Sequence, residues 1–285
     1  MPVMLKPDYR VIQRRWNDTR SPDRLIVHYE LERRLADRLR AAGRHERSQL
    51  YAEVYSELFN SLPDHPQRRA SANSRPERVA RQVRLLKPLI ERGDVYLEIG
   101  AGDARLPYAL SGIAREVLGL DVTDALVNFA AAPANFRFVR TDGIDIPLAD
   151  NSVDLANSDQ LMEHLHVEDA RDQLREIHRV LRPGGHYVCT TPSVVTGPHD
   201  ISALVDDVAT GMHMREYDYH SLRTLFLAAG FRRVEFPLVI AGYRFATPPY
   251  WLLRGIEWAL QKVPAHLRHN QLIGVLMGIT AIATK

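Results

Sequence analysis

"VYLEIGAGDARLPYAL", residues 95–110, is the stretch whose reading decides the fold. Val95, Tyr96, Leu97 and Ile99 form an apolar run short enough for a buried strand. Gly100, Ala101 and Gly102 break it, and Leu106 and Leu110 then recur at helical spacing. A strand, a glycine turn and a helix in that order suggest a nucleotide-type site. A dinucleotide site would want a third glycine at position 105, where pyrophosphate, helix and sheet meet, but this chain has Arg105 there. The turn therefore suits a nucleotide-like ligand without phosphates, and a nicotinamide-dependent dehydrogenase is disfavoured.

Downstream, apolar strands alternate with helical runs. "EVLGLDV", "FRFVRTD", "VDLANS", "HYVCTT", "RRVEFPLV" and the final "GITAIATK" are candidate strands. Strands spaced by helices predict an α/β fold with a doubly wound, mainly parallel sheet, in which ligands bind beyond the carboxyl ends of the strands. Upstream, Ser21, Pro22 and Asp23 start a helix that carries Leu25, Tyr29, Leu35 and Leu39 until Gly43. A second helix is expected from His45 to Phe59, stopped by "SLPDHPQ", and a third opens at Ser74 and Pro76 and ends near Gly93. The first two helices read as an extension packed on the core, either a cover for the active-site face or simple structural packing.

A chain of 285 residues, 45% hydrophobic and 25% charged, is long enough to bury a sizeable core. Its net charge of +2, from 37 basic and 35 acidic residues, gives no global field to recruit nucleic acid or an anionic membrane. Many arginines precede residue 93, but no aromatic or glycine pattern accompanies them, so solvated helix faces are the preferred reading over an RNA-binding patch. Cys189 has no partner for an intrachain disulfide and reads as a buried strand thiol. The amino terminus lacks the apolar core of a signal peptide, and no stretch approaches the roughly 18 apolar residues of a membrane span. A cytoplasmic location is expected.

Taken in order, the strand ends carry polar groups. The first ends at Glu98, with Asp103 just past the glycines. The second places Asp121 about twenty residues after them, where a carboxylate accepts both hydroxyls of a ribose. After the third, Asp142 and its neighbouring backbone can bond an exocyclic amine such as adenine's, although a turn cap would use the same side chain. The fourth leads into "NSDQLMEHL", polar groups for the ligand's other end.

These motifs together resemble the class I S-adenosylmethionine-dependent methyltransferases, near the small-molecule branch that includes the ubiquinone and menaquinone methyltransferases. The resemblance covers about residues 76–240 and the final strand. It is carried by "LEIGAGDA", "GLDV", "RTDG", "VDLANSDQLMEHL", "LREIHRVLRPGGHYVCTTP" and "HMREYDYHSLRTLFLAAGFRRVE". It implies a seven-stranded Rossmann-like sheet and S-adenosylmethionine as methyl donor, a ligand with no phosphate, whose amino-acid part comes close to the glycine backbone. By this likeness Glu98, Gly100 and Gly102 cradle the methionine part, Asp121 holds the ribose, Asp142 and Gly143 lie beside adenine, and Ser158 and Gln160 lie near the sulfonium. Ser158 has a structural alternative in satisfying its strand end. Ala101 and Ala104 depart from the family, where cysteine and glycine are commoner; a methyl at 104 should narrow the turn without abolishing binding.

The implied division is a helical extension over 1–75, a methyltransferase core over 76–240, an amphipathic helical insert over 241–270 and a last core strand over 271–285. The implied reaction is methyl transfer to oxygen or nitrogen of a small molecule, with carbon less favoured. Holding donor and acceptor in line supplies most of the acceleration, so a base is optional. His164, His166 and His213 are the base candidates, with Glu216 and Tyr217 beside the last. Some quinone O-methyltransferases and small-RNA 2'-O-methyltransferases bind a divalent metal through Glu-x-x-Glu-His at this place. Here Gln160 replaces the first carboxylate and is a poor ligand for a hard cation, so no metal is expected, although Glu163, His164 and His213 leave a partial site.

Acceptor specificity is expected from the extension, from the long loop Ser193 to Glu216, and from the insert, where Trp251, Leu252, Ile256, Ala259 and Leu260 share one side of a helix. That stripe reads first as core or a homodimer contact, and second as a weak membrane-surface or apolar-substrate face flanked by Lys262 and Arg268. Partnership with nucleic acid is not expected. The rival readings are an RNA methyltransferase and a module that binds S-adenosylmethionine without turnover.

Overall fold

The computed structural model describes residues 3–66, 76–268, 273 and 277–285. Ser74, expected to open the third helix, and residues 269–270 of the expected insert lie outside the described residues. The strand that opens the sequence reading, β1 (Val95–Ile99), is buried at every position. Neighbours on both sides explain this: β2 (Glu116–Asp121) and β4 (Val153–Asp159) pair with it in parallel. With β3 (Phe136–Arg140), β5 (Leu181–Thr191), β6 (Arg233–Glu235) and the last strand, β9 (Ile279–Thr284), they form a seven-stranded sheet in the order β3-β2-β1-β4-β5-β9-β6. Only β9 runs against its neighbours. The chain winds outward from β1 to β3 and then returns to place β4 on the other side of β1. The crevice between the tips of β1 and β4 is therefore the topological switch point.

"RRVEFPLV" was expected as one strand and is two pieces. Pro237 has no N–H to give a ladder, so β6 stops at Glu235. Leu238–Ile240 (β7) leaves the main sheet and pairs with Tyr243–Ala246 (β8) across Ala241 and Gly242, both of which have the positive φ that a tight hairpin turn requires.

The helical extension begins with a short helix, α1 (Tyr9–Arg15), too brief to announce itself by periodicity. Helix α2 (Pro22–Ala41) starts where the Ser21 hydroxyl accepts the Arg24 N–H, and α3 (Arg44–Ser61) follows. Helix α4 (Pro76–Leu86) ends before Pro88 in a tighter turn. Leu35, Leu39, Leu50, Tyr51, Val54 and Leu58 of this extension lie in the same buried cluster as Leu97, Ile99 and Leu120 of the sheet. A buried ion pair locks the contact. Arg47 reaches both carboxylate oxygens of Asp169, at 2.6 and 2.8 Å, in the first turn of α6 (Val167–Val180), and Tyr51 donates to the same carboxylate at 2.8 Å. Between α4 and α6 lies α5 (Arg105–Leu110), the helix after the glycine turn.

Many of the amino-terminal arginines are paired with acids. Arg24 meets Asp64, Arg34 and Arg38 meet Glu57, and Arg44 meets Asp172. The insert helix departs from expectation. Helix α8 (Tyr250–Gln261) follows α7 (Tyr219–Ala228) and buries Leu253 and Glu257 against it, with Glu257 accepting the Tyr219 N–H at 2.9 Å. Of the expected stripe, Trp251 is 72% exposed and Leu252, Ile256 and Ala259 are exposed with it, with Trp258 beside them, while Leu260 is half-buried against the core; the core reading fails for most of the stripe and the surface-contact readings do not. A last short turn, α9 (Ala265–Arg268), follows. Among the described residues no helix is long and apolar enough to cross a membrane.

Candidate active site

At the tip of β1 the chain turns through Gly100, Ala101 and Gly102. Gly100 has φ +73, and a side chain there would meet Leu161 at 3.1 Å, so both backbone and space call for glycine. The N–H groups of Gly100 and Ala101 both bond the Leu120 carbonyl, which ties the turn to the end of β2. Ala104 takes the left-handed conformation, φ +58, and starts α5. The family's commoner glycine has that conformation at less cost, which is the physical content of this departure.

Asp121 ends β2. Its Oδ2 accepts the Gly102 N–H at 2.8 Å and its Oδ1 the Val122 N–H at 2.7 Å. Burial pushes its carboxyl up, opposed by those backbone donors. Oδ1 also accepts the Thr123 N–H at 3.4 Å, so of a carboxylate's roughly four acceptor positions one is left for a ligand hydroxyl. Glu98 sits beside it in a harsher setting. It is buried, its Oε2 has no hydrogen-bond partner, and burial together with Asp159 and Asp103 raises its carboxyl well above the ordinary range, while Arg78 pulls it down. An unpartnered buried carboxylate oxygen costs free energy unless a cationic or donating ligand completes it.

Arg78 and Gln82, on α4, were not singled out from the sequence. Both reach Asp159 Oδ2 at the end of β4, at 2.5 and 2.6 Å, and Thr190 Oγ1 donates to its Oδ1. Arg78 faces a cluster of Asp159, Glu98 and Asp103, and those acids raise its pKa, while Arg105 stands 3.5 Å from Asp103. The one sequence signal was position: a basic residue and a glutamine one turn apart near the start of a helix that leads into β1.

The other expected donor contacts fall unevenly. Asp142 Oδ1 accepts the Ile144 and Asp145 N–H groups at 2.9 and 2.8 Å, so at least that oxygen caps a turn. Gly143 follows, packed beneath Tyr51 of the extension, and its carbonyl accepts from Gln173 at 2.7 Å. The Ser158 hydroxyl points into the core and shares a 2.6 Å hydrogen bond with Tyr187, which satisfies the strand end and turns the side chain away from the strand tip. Gln160 is exposed beyond β4 with a left-handed backbone, φ +56.

The three histidines also separate. His166 is the cap of α6; its Nδ1 accepts the Glu168 N–H at 3.4 Å. His164 and His213 come together, ring centroids 4.8 Å apart, the first in the turn Met162–His164 after β4 and the second in the loop before α7. Burial, with His213 adding to it, holds the His164 pKa down to about 3, so this ring is neutral. The His213 pKa is raised to about 9: burial opposes its charge, but Glu216, Glu163 and Asp200 outweigh that. Burial pushes the Glu163 carboxyl up to about 7, against the pull of His213. At neutral pH His164 is thus the uncharged ring, a hydrogen-bond acceptor but a weak base.

Above these residues the loop 193–216 contains a short 3-10 helix, Ile201–Leu204. Asp200 accepts from Gly211 N and His213 N, Glu216 from His199 N, and Glu32 of α2 from Met212 N at 3.2 Å. Ile12, Leu25 and Tyr29 of the extension pack on Ile201 and Leu204. The extension therefore latches the loop over this side of the sheet.

A parallel sheet reversing at β1 and β4, with a glycine turn on an acidic strand tip, defines a class I methyltransferase fold. The comparisons agree. Residues 97–189 match the methyltransferase domain family. It is 34% identical over 140 residues to a probable S-adenosylmethionine-dependent methyltransferase of Mycolicibacterium smegmatis, covering 47% of this chain and 51% of that one. It is 32% identical over 116 residues to a demethylmenaquinone methyltransferase of Staphylococcus epidermidis, covering 38% and 47%. The chain thus spans about half the length of the curated relatives it matches. In fold it is similar to a chain of the Haloferax volcanii complex between the Trm112 methyltransferase activator and a methyltransferase, with TM-score 0.53 and 21% identity over 75% of this chain and 95% of that one. S-adenosylmethionine is the cosubstrate this family uses.

Proposed function

We propose that this protein transfers the methyl group of S-adenosylmethionine to oxygen or nitrogen of a small-molecule acceptor that has an apolar portion. The observation that carries the reading is an unpartnered acceptor, Glu98 Oε2, beside a guanidinium, Arg78, that Asp159 holds at the same strand tips. An amino acid's ammonium supplies the missing donor and its carboxylate a further partner for Arg78, and Asp121 one strand away offers an acceptor for a ribose.

The donor supplies an electrophilic methyl on a sulfonium; the chain supplies position. Glu98 and Arg78 fix the amino-acid end, Gly100 and Gly102 let it approach the backbone, and Asp121 fixes the sugar and shapes the turn through Gly102. Asp142 and Gly143 border the adenine side, and Gln160 stands nearest the sulfonium end. Neutral His164 accepts a hydrogen bond from an acceptor hydroxyl or amine and orients it toward the methyl group. The latched loop 193–216 keeps water from this side and helps hold donor and acceptor in line, from which most of the acceleration arises.

Two observations support an apolar acceptor: the similarity to a demethylmenaquinone methyltransferase, and the exposed apolar face of Tyr243, Phe245, Trp251 and Trp258. That face is also where a second copy or a membrane surface would touch. An RNA acceptor is disfavoured because many of the amino-terminal arginines are engaged by acids. The cytoplasm is the expected site of action. The test is conversion of S-adenosylmethionine to S-adenosylhomocysteine across an acceptor panel of hydroxylated quinones, phenols and amines. Turnover with at least one of them, reduced in His164→Asn, is expected; binding of donor without turnover on any acceptor would favour a non-catalytic module.

A further inference from the structure

Helix α8 has its polarity reversed for a surface helix. It buries Leu253 and the carboxylate of Glu257, which accepts the Tyr219 N–H and is paired with Arg254. At about 100° per residue, Trp251, Leu252, Gly255, Ile256, Trp258 and Ala259 fill the opposite arc, all of them exposed and none charged. A helix at a protein surface ordinarily turns polar and charged side chains to water, so this arc is shaped for another medium. The hairpin β7–β8, which ends three residues before α8, adds the exposed rings of Tyr243 and Phe245.

The charge around the arc has one sign. Between Leu238 and Lys262 the only acid is Glu257, and it is buried. Arg254 is spent on that acid and on Asp218, and Glu235, just before the hairpin, is held by Arg233. Other cations stand on the aromatic rings: Lys262 lies 5.6 Å from the centre of the Trp258 ring, Arg223 4.9 Å from that of Tyr250, and Arg84 5.2 Å from that of Tyr243. These three and Arg244 of β8 make no salt bridge among the described residues, whereas Arg24, Arg34 and Arg38 of the extension are each paired with an acid.

We propose that the outer face of α8, with its cationic rim, docks the protein on an anionic lipid bilayer. Tryptophan rings settle at the depth of the headgroups, aliphatic side chains beside them enter the acyl boundary, and lysine and arginine at the rim meet lipid phosphates. A second copy suits the face less well, because in a two-fold contact a patch of one charge sign would face its own sign. The placement of α8 gives the docking a direction. It rests on the amino end of α7, which the chain reaches from the carboxyl tip of β5, and Arg268 ties the insert to the loop 193–216 through the Val195 carbonyl at 3.1 Å. Docking therefore turns the strand-tip edge, and with it the donor crevice, toward the lipid. An apolar acceptor would then enter from the bilayer, and that consequence alone rests on the methyl-transfer reading.

The full chain, without donor or acceptor, is co-sedimented with vesicles of phosphatidylcholine alone and of two parts phosphatidylcholine to one part phosphatidylglycerol, while tryptophan emission is recorded. Binding to the anionic vesicles, a blue shift of the emission and weakening as salt rises are expected. Lys262→Ala should weaken the partition about 5-fold, as one cation near an anionic surface is worth. Trp251→Ser combined with Trp258→Ser should weaken it by about 30-fold or more and abolish the blue shift. Trp16→Phe, on the extension, should keep both. The melting temperature of the double variant, which loses only exposed rings, checks that it folds. Equal binding to both kinds of vesicle, binding to neither, or a double variant that binds as well as wild type overturns the proposal. So does a lipid-free dimer, seen by sedimentation, that the same two substitutions dissolve, since the face would then belong to a second copy. Because the vesicles carry neither donor nor acceptor, none of these results bears on whether methyl transfer occurs.

Discussion

Glu98→Gln separates binding from stability in opposite directions. The native carboxyl is buried, with one oxygen unpartnered, and burial plus the Asp159 and Asp103 charges raise its pKa well above the usual carboxylate range. A carboxyl whose pKa is raised on folding favours the folded state fully only below its unfolded value, about 4.3, and loses that contribution as pH rises through the folded value. Within that window the loss is at most about 1.4 kcal/mol per pH unit. Glutamine keeps the shape and never ionises. The variant should therefore melt higher than wild type near pH 8, with the difference closing as pH falls toward 4. Donor binding should move the other way. Removing one partner of a buried charged pair costs about 2–5 kcal/mol, so affinity for S-adenosylhomocysteine should fall by about 30-fold or more. Wild-type binding should also release a proton as Glu98 ionises against the ligand ammonium, and the variant should release none. Melts across pH and calorimetry in two buffers of different ionisation enthalpy read all three effects. A variant that binds as tightly as wild type, or that is less stable at pH 8, refutes the placement of Glu98 against the donor.

Arg47→Ala leaves Asp169 buried without its bidentate partner and should cost about 3–5 kcal/mol in a denaturant or thermal melt, since the pair joins the extension to the core. Gly100→Ala forces an L side chain to φ +73 and against Leu161; about 1–3 kcal/mol of stability should be lost, with weaker donor binding by calorimetry. Trp251→Ser and Trp258→Ser remove exposed rings and should change stability by no more than about 0.5 kcal/mol, while lowering turnover or membrane co-sedimentation if this face meets an apolar partner.

The core of the fold was legible because each strand of the parallel set repeats the same physical signature. "VYLEI" and "EVLGLDV" are apolar apart from Glu98, Glu116 and Asp121, since neighbours and helices cover both faces, and the turn residues at their ends are those a tight crossover requires. Where one local feature overrode the pattern, the reading failed: Pro237 cut an apparent strand in two, and nothing in the spacing of Trp251, Leu252 and Ile256 says whether such a stripe faces inward or out. The family's motif residues could be aligned, but the direction of a side chain could not. Ser158 turns into the core to meet Tyr187, and Asp142 Oδ1 is spent on its own turn. Arg78 escaped because its importance lies in three dimensions, a helix upstream of β1 delivering a cation to carboxylates from β1 and β4.

The most direct test of the donor site is a calorimetric titration of the protein with S-adenosylmethionine, S-adenosylhomocysteine and NADH, repeated with Asp121→Ala. The account predicts saturable binding of both sulfur ligands, none of NADH, and loss of binding in the variant, because Asp121 both holds the ribose and ties Gly102 to β2. Binding of NADH alone, or an Asp121→Ala protein that binds the sulfur ligands as well as wild type, would contradict it.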